Sequence, residues 1–270
     1  MCVEESKSLK AFKQLLVNRI PCVPNTKESK DRLLEQTLVS VIFHYLHWAS
    51  RLIPPRSRTV IFDVALTVQP LWVEHRNDIQ KIINKADIGE NLNDHLSNEV
   101  LSRGFSPNDE ILRQDDRWLC KDRLLNTQGF HHLHLKSGKS NKGNFLLLVK
   151  ITRNEFHILG VFTHGIFDGD DHEQNRMHST LELWSEIHKD LYTTMSGHPI
   201  HIHQIASEYW NAILQCDSQL QSKEFVEQMF FNHRDKLKSK FKLRWEIDWL
   251  DLGVYESKSK GFTIIRKGHI

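Results

Sequence analysis

The sequence predicts an α+β protein with a helical N-terminal region over residues 1–105, a central helix plus antiparallel sheet over 106–175, and helices with a terminal hairpin packed on it over 176–270. Three observations predict it. Apolar residues recur at helical spacing up to Pro54-Pro55. Three short β-rich segments follow one another between Phe130 and Thr163. The stretch from Lys242 to Ile265 alternates apolar and polar residues around a Ser-Lys-Ser-Lys-Gly turn.

Taken in order, Asn25-Thr-Lys-Glu is an N-cap followed by apolar residues at Leu33, Leu34, Leu38, Val41, Ile42, Tyr45, Leu46 and Ile53, which predicts one long helix. Thr59 to Val68 is near-continuously apolar and reads as a strand or a buried helix. Val73 to Lys85 and Leu92 to Leu101 read as helices ending near Gly89 and Gly104, and Asn108 to Asn126 as a polar helix. Strands follow over Phe130 to Leu135, Phe145 to Thr152 and Phe156 to Thr163, the last two joined by Arg153-Asn154-Glu155. Beyond them, Ser179 to Met195, Gln204 to Gln215 and Phe225 to Phe231 read as helices.

Composition narrows the class. The 36 Lys and Arg against 34 Asp and Glu leave a net charge of +2, so any polyanion site must be local. A hydrophobic content of 39% and a mean hydropathy of -0.47 fit a globular chain rather than a disordered or membrane-embedded one. No uninterrupted apolar span of membrane length occurs, the N-terminus lacks a secretory pattern, and the four cysteines are far apart, so a cytoplasmic protein without a disulfide scaffold is expected. There is no phosphate-binding glycine loop, nucleophile elbow or dinucleotide fingerprint, and no cofactor is expected.

Histidine is in excess at 17 residues, and the excess converges. Strand periodicity sends His132 and His134 of Gly-Phe-His-His-Leu-His-Leu to one face and His131 to the other, while His164 follows the apolar run of the third strand. Around them lie Lys121, Arg123, Lys136, Lys139, Lys142, Lys150 and Arg153. This mixture suits metal-independent RNA cleavage. One imidazole accepts the 2′-hydroxyl proton, another protonates the leaving 5′-oxygen, and cations stabilise the phosphorane. Imidazole serves both roles because its unperturbed pKa of about 6.5 leaves both forms populated near neutrality. The competing reading makes these histidines polar partners on a half-exposed sheet.

Over about residues 108–170 the chain resembles the RelE superfamily of messenger-RNA interferase toxins, in particular its YafQ and YafO branches, through His134-Leu135, the strands within Leu146 to Val161, and Thr163-His164 with Phe167. The resemblance implies catalytic His134 and His164, with His132 beside them, and a positioning role for Phe167. Lys121 or Arg123 stands where the family carries an upstream His or cation. It further implies RNA as substrate and a neutralising antitoxin as partner. The sequence departs from the family in lacking the acidic residue after the strand histidine and in the shorter spacing from His164 to Phe167.

Two alternatives stay open. A second reading joins His198-Pro-Ile-His-Ile-His203, with His201 and His203 on one face if extended, to His172, His178 and the acidic run from Asp168 to Glu173 in a metal-dependent hydrolase, although that run reads more simply as a solvated loop. A third reading is a non-catalytic binding protein of a defence system. The basic run from His233 to Arg244, with Phe241 and Trp245 interleaved, has the composition of a phosphate-contacting surface.

Overall fold

Short polar caps set the N-terminal helices. Ser6, Thr26 and Thr37 accept hydrogen bonds from the amides of Leu9, Ser29 and Ser40, and so start α1 (Lys7–Arg19), α2 (Lys27–Glu35) and α3 (Leu38–Ala49). The single helix expected from Asn25 to Ile53 is therefore two. Gln36 is extended at ψ 165, and the Thr37 cap restarts the chain at a new angle. The computed structural model describes residues 6–107, 124–126, 129–138, 143–183, 193–194, 198–231 and 241–269.

The ambiguous stretch after Pro54-Pro55 divides into β1 (Thr59–Phe62) and a 3-10 turn at Val64–Val68. Arg58 anchors it: the guanidinium is 2% exposed and donates to the carbonyls of Pro54, Arg56 and Thr152. Burial, with Arg56 nearby, pushes its pKa down to about 10. Next come α4 (Pro70–Glu74), α5 (Arg76–Ile88), a 3-10 turn at Asn93–His95 and α6 (Asn98–Ser102).

The central strands are β2 (Phe130–His134), β3 (Phe145–Ile151) and β4 (Glu155–Thr163). They form an antiparallel meander, as expected, but the sheet is not wholly antiparallel: β1 adds to β4 in parallel, giving the order β1-β4-β3-β2. Both faces are covered. Leu133, Leu147, Val149, Ile158 and Val161 join the main core, and Phe130, Leu146, Leu148 and Phe162 join a second cluster with Ile166 and Met177. Two-sided burial explains why β3 reads as an apolar run rather than an alternation.

After β4 come α7 (Gly165–Asp168) and α8 (Asp171–Leu183), separated by Gly169 at φ 83, a left-handed turn that favours glycine. The acidic run is thus helical from Asp171, not a loop, and α8 starts earlier than the helix expected at Ser179. Then come α9 (Ile200–Cys216) and α10 (Lys223–Met229). The expected terminal hairpin is a three-stranded antiparallel sheet, β5 (Leu243–Asp248), β6 (Asp251–Glu256) and β7 (Gly261–Arg266). Trp245 is fully buried and donates to Asp217, so it serves packing rather than base stacking. Most of the polar helix expected at 108–126, the basic residues 233–240 and the end of the 179–195 helix lie outside the described residues. Among the described residues no helix is long and apolar enough to cross a membrane.

One core cluster runs from Leu9 through the sheet to Val254, so all three regions share it. Asp251 ties their ends. It accepts a forked pair of bonds from Arg153 at 2.7 and 2.8 Å and a third from the Gly268 amide at 2.7 Å, with Arg56 at 3.6 Å. Burial alone would raise its pKa, but Arg153 and the Gly268 amide hold it below the usual carboxylate value. The native carboxylate therefore binds its proton less tightly than the unfolded chain does. Its stabilisation is complete above the ordinary value near 3.8 and is lost as pH falls through the native one. Asp251→Asn should lower stability by about 2–4 kcal/mol in urea unfolding at pH 7, because it strands Arg153 without its partner. The deficit should shrink as pH is taken below about 4. A constant deficit across that range would contradict the assignment.

Candidate acid–base site at the sheet edge

Every residue of β2 is buried, although it is an edge strand and three of its five side chains are imidazoles. Each imidazole meets a different surrounding. His131 faces the main core and donates from Nε2 to the Ser50 carbonyl at 3.2 Å; burial, partly offset by that bond, drives its pKa down to about 4, so it is neutral. His132 and His134 face the other way, on the side shared with Phe130, Leu146 and Leu148. They are 8% and 7% exposed.

The meander brings the predicted pair together. His134 stands opposite Leu146, which stands opposite Phe162, and His164 follows β4 two residues on. The rings of His134 and His164 are 5.1 Å apart between centroids at a tilt of 38°. A group bonded at roughly 2.6–3.2 Å from each ring spans such a gap. Phe167, on α7, meets His132 edge-on at 5.1 Å and lies 6.4 Å from His164, so one aromatic ring links the histidines of both strands.

Backbone contacts fix both partners. At β2, His95 donates from Nδ1 to the His134 carbonyl at 2.8 Å, and Lys85 donates to His95 Nε2 at 3.3 Å, which sets the His95 tautomer. At β4, the His164 amide donates to the Asn144 carbonyl, and its own carbonyl accepts from Phe167. The reversal after β4 is braced by Glu173. One of its oxygens accepts from the Thr163 amide at 2.8 Å and from the Thr163 hydroxyl, and Arg176 grips both of its oxygens while donating to the Val161 carbonyl. The Arg176 guanidinium lies 4.3 Å over the Phe162 ring. Burial would raise the Glu173 pKa; Arg176 and the Thr163 amide outweigh it and keep the group ionised.

The predicted cations fare unevenly. Lys136 is exposed two residues past His134. Lys150 is opposite Phe130 at the other end of β2, about 14 Å along the strand from His134, and burial lowers its pKa. Arg153 lies in the turn before β4, roughly 36 Å of extended chain from His164, and its guanidinium is closed on Asp251. Neither Lys150 nor Arg153 reaches a phosphate held by the histidine pair, which corrects the expectation that all these cations surround one site. Lys121, Arg123, Lys139 and Lys142 lie outside the described residues.

The metal alternative loses its geometry. Residues from Ile200 onward are helical, so His201 and His203 point apart: His201 meets His269 at 5.5 Å, and His203 stacks on Phe43 at 3.8 Å. His172 and His178 are exposed on α8. Among the described residues no three His, Cys, Asp or Glu side chains are grouped to hold a metal ion.

Sequence reasoning missed the Glu173 brace, whose trace is the Glu-x-x-Arg spacing of a helix, and His95, which carries no local signal. Glu173→Gln should cost about 2 kcal/mol in denaturant unfolding and shift the His164 ring resonances in an NMR spectrum. Unchanged stability together with unchanged His164 signals would remove its positioning role. No family model, curated protein or solved structure matches this chain.

Proposed function

We propose that the protein is a metal-independent endoribonuclease of toxin or defence type, acting on messenger or ribosome-associated RNA through His134 and His164. The observation that carries the reading is the 5.1 Å approach of these two rings from opposite ends of the meander. One imidazole serves as base for the 2′-hydroxyl and the other as acid for the leaving 5′-oxygen. The 2′-hydroxyl restricts this chemistry to RNA. Phe167 and His132 hold the ring geometry, and Lys136 is the described cation nearest in sequence to the pair. The resemblance to the RelE superfamily adds a neutralising protein partner to the proposal, and a cytoplasmic site of action goes with an RNA substrate of this kind.

The test compares wild type with His134→Ala and His164→Ala for growth arrest on induction and for cleavage of labelled RNA, with and without EDTA. Each variant should lose at least about 100-fold in cleavage rate, the contribution of one positioned acid or base, and EDTA should change nothing. Equal cleavage by wild type and both variants would refute the proposal, and loss of activity in EDTA would replace it with the metal-dependent hydrolase.

A further inference from the structure

The second sheet, β5-β6-β7, has one face in the core and one outside it. Trp245 and Ile247 on β5 and Leu252 and Val254 on β6 join the main core, so the pleat turns Arg244, Gly253 and Tyr255 to the opposite side. Register extends that side across the sheet. Arg244 stands opposite Tyr255 and Tyr255 opposite Phe262, with Gly253 opposite Ile264 in the next row. Among the described residues neither Tyr255 nor Phe262 belongs to a hydrophobic cluster, and Ile264 is 40% exposed.

Two flat groups lie on this outer face. The Phe262 ring covers Gly253, where a Cβ would meet it at 2.7 Å, so the ring is laid along the sheet rather than standing out of it, and it remains half-buried. The Arg244 guanidinium lies 4.4 Å over the Tyr255 ring. Its Nε and Nη2 edge is taken by one oxygen of Glu246, whose other oxygen is taken by Arg19. Stacking uses the plane and not those donors, and the Arg244 side chain is 49% exposed. Cations stand at one end of the face. Lys242, two residues before Arg244, and Lys260, in the turn before β7, are both exposed. Glu256, the carboxylate at that end, is buried and bonded to the amides of Lys242, Lys258 and Ser259, so it shapes the turn from the core side.

We propose that this face binds single-stranded RNA, its bases stacking on Phe262 and on the guanidinium plane of Arg244 backed by Tyr255, and its phosphates meeting Lys242 and Lys260. Aromatic and guanidinium planes accept any unpaired base, and cations beside them follow the backbone. Arg244 and Phe262 are two strands apart, about 10 Å across the sheet, which is more than one base covers, so the surface fits a run of nucleotides rather than a single one. The sequence just before β5 carries Arg234, Lys236, Lys238 and Lys240 against one carboxylate, Asp235; these residues lie outside the described ones, and their charge has the sign a polyanion needs. Rings laid flat and half-buried give an anionic lipid surface little to take into its acyl boundary. The choice of RNA over DNA rests on the ribonuclease reading; the stacking surface does not.

The experiment is fluorescence anisotropy of a short labelled 2′-O-methyl RNA, which lacks the nucleophile for cleavage, so that binding is read without the reaction. The full chain should bind the single strand at least 10-fold more tightly than the same sequence in a duplex. Arg244→Lys keeps the charge and loses the plane, and Phe262→Leu keeps the bulk and loses the ring; each should weaken binding at least about 5-fold with the salt dependence unchanged. Lys242→Ala with Lys260→Ala should flatten the slope of log affinity against log salt by about 1.4. Lys7→Ala with Lys10→Ala, exposed on α1, should leave affinity within twofold. Circular dichroism checks that each variant is folded at the temperature of the assay. Equal affinity for strand and duplex, no binding of either, wild-type affinity in both Arg244→Lys and Phe262→Leu, or binding of phosphatidylserine vesicles in place of RNA would each overturn the proposal. Binding by a chain that leaves unmodified RNA uncut supports this surface and removes the ribonuclease reading, whereas cleavage by a chain whose Arg244→Lys and Phe262→Leu variants bind normally does the reverse.

Discussion

The constraint on which the site depends is that an edge strand has been buried although most of its side chains are imidazoles. A buried polar atom without a partner costs on the order of 1–3 kcal/mol, so β2 is tolerated only where other elements supply its partners. The end of α3 brings the Ser50 carbonyl to His131, the turn before α6 brings His95 to the His134 carbonyl, and the reversal after β4 brings His164 and Phe167 beside His134 and His132. These contacts come from regions far apart in sequence. They cover an edge that would otherwise be open to pairing with another chain.

The same arrangement links stability to chemistry through β4. This strand is paired on both sides, in parallel with β1 and antiparallel with β3, so its end is held more firmly than that of a free hairpin. The brace of Glu173 and Arg176 then fixes the direction in which the chain leaves it. A ring carried at that point keeps its distance from β2, and distance is what acid–base transfer requires. The carboxylate of Glu173 and the guanidinium of Arg176 thus set the point from which His164 leaves the sheet, through Thr163 and the Val161 carbonyl.

Much of the fold was legible because its signals are local. The three central strands have apolar runs and a polar turn at residues 152–154, and the terminal alternation gave two of the three strands of the second sheet. The parallel pairing of β1 with β4 was not legible, since it joins segments about a hundred residues apart and no local pattern encodes it. The break at Gln36-Thr37 was hidden by an apolar stripe that continues through it; Thr37 as a capping residue was the available signal. His198 to His203 misled in the opposite direction. Alternate histidines match the period of a strand, yet Pro199 immediately before a run free of glycine marks a helix start. For the site, the two histidines brought together were visible in the pattern, and the residues that position them were not, because a brace depends on contacts in space.

The excess of histidine follows from the same physics. An arginine carried into an interior keeps its charge, and in this chain such groups are satisfied at a cost in accompanying structure: Arg153 takes Asp251, and Arg58 takes three carbonyls. An imidazole enters neutral. His131, at a pKa of about 4, does so beneath the sheet, and His44, at a similar value, does so beside an open cleft. A neutral ring is still a donor and an acceptor, so burial removes its charge without removing its capacity to hydrogen-bond. Histidine lets a strand or helix face be packed without a charge while it keeps a donor and an acceptor for its neighbours.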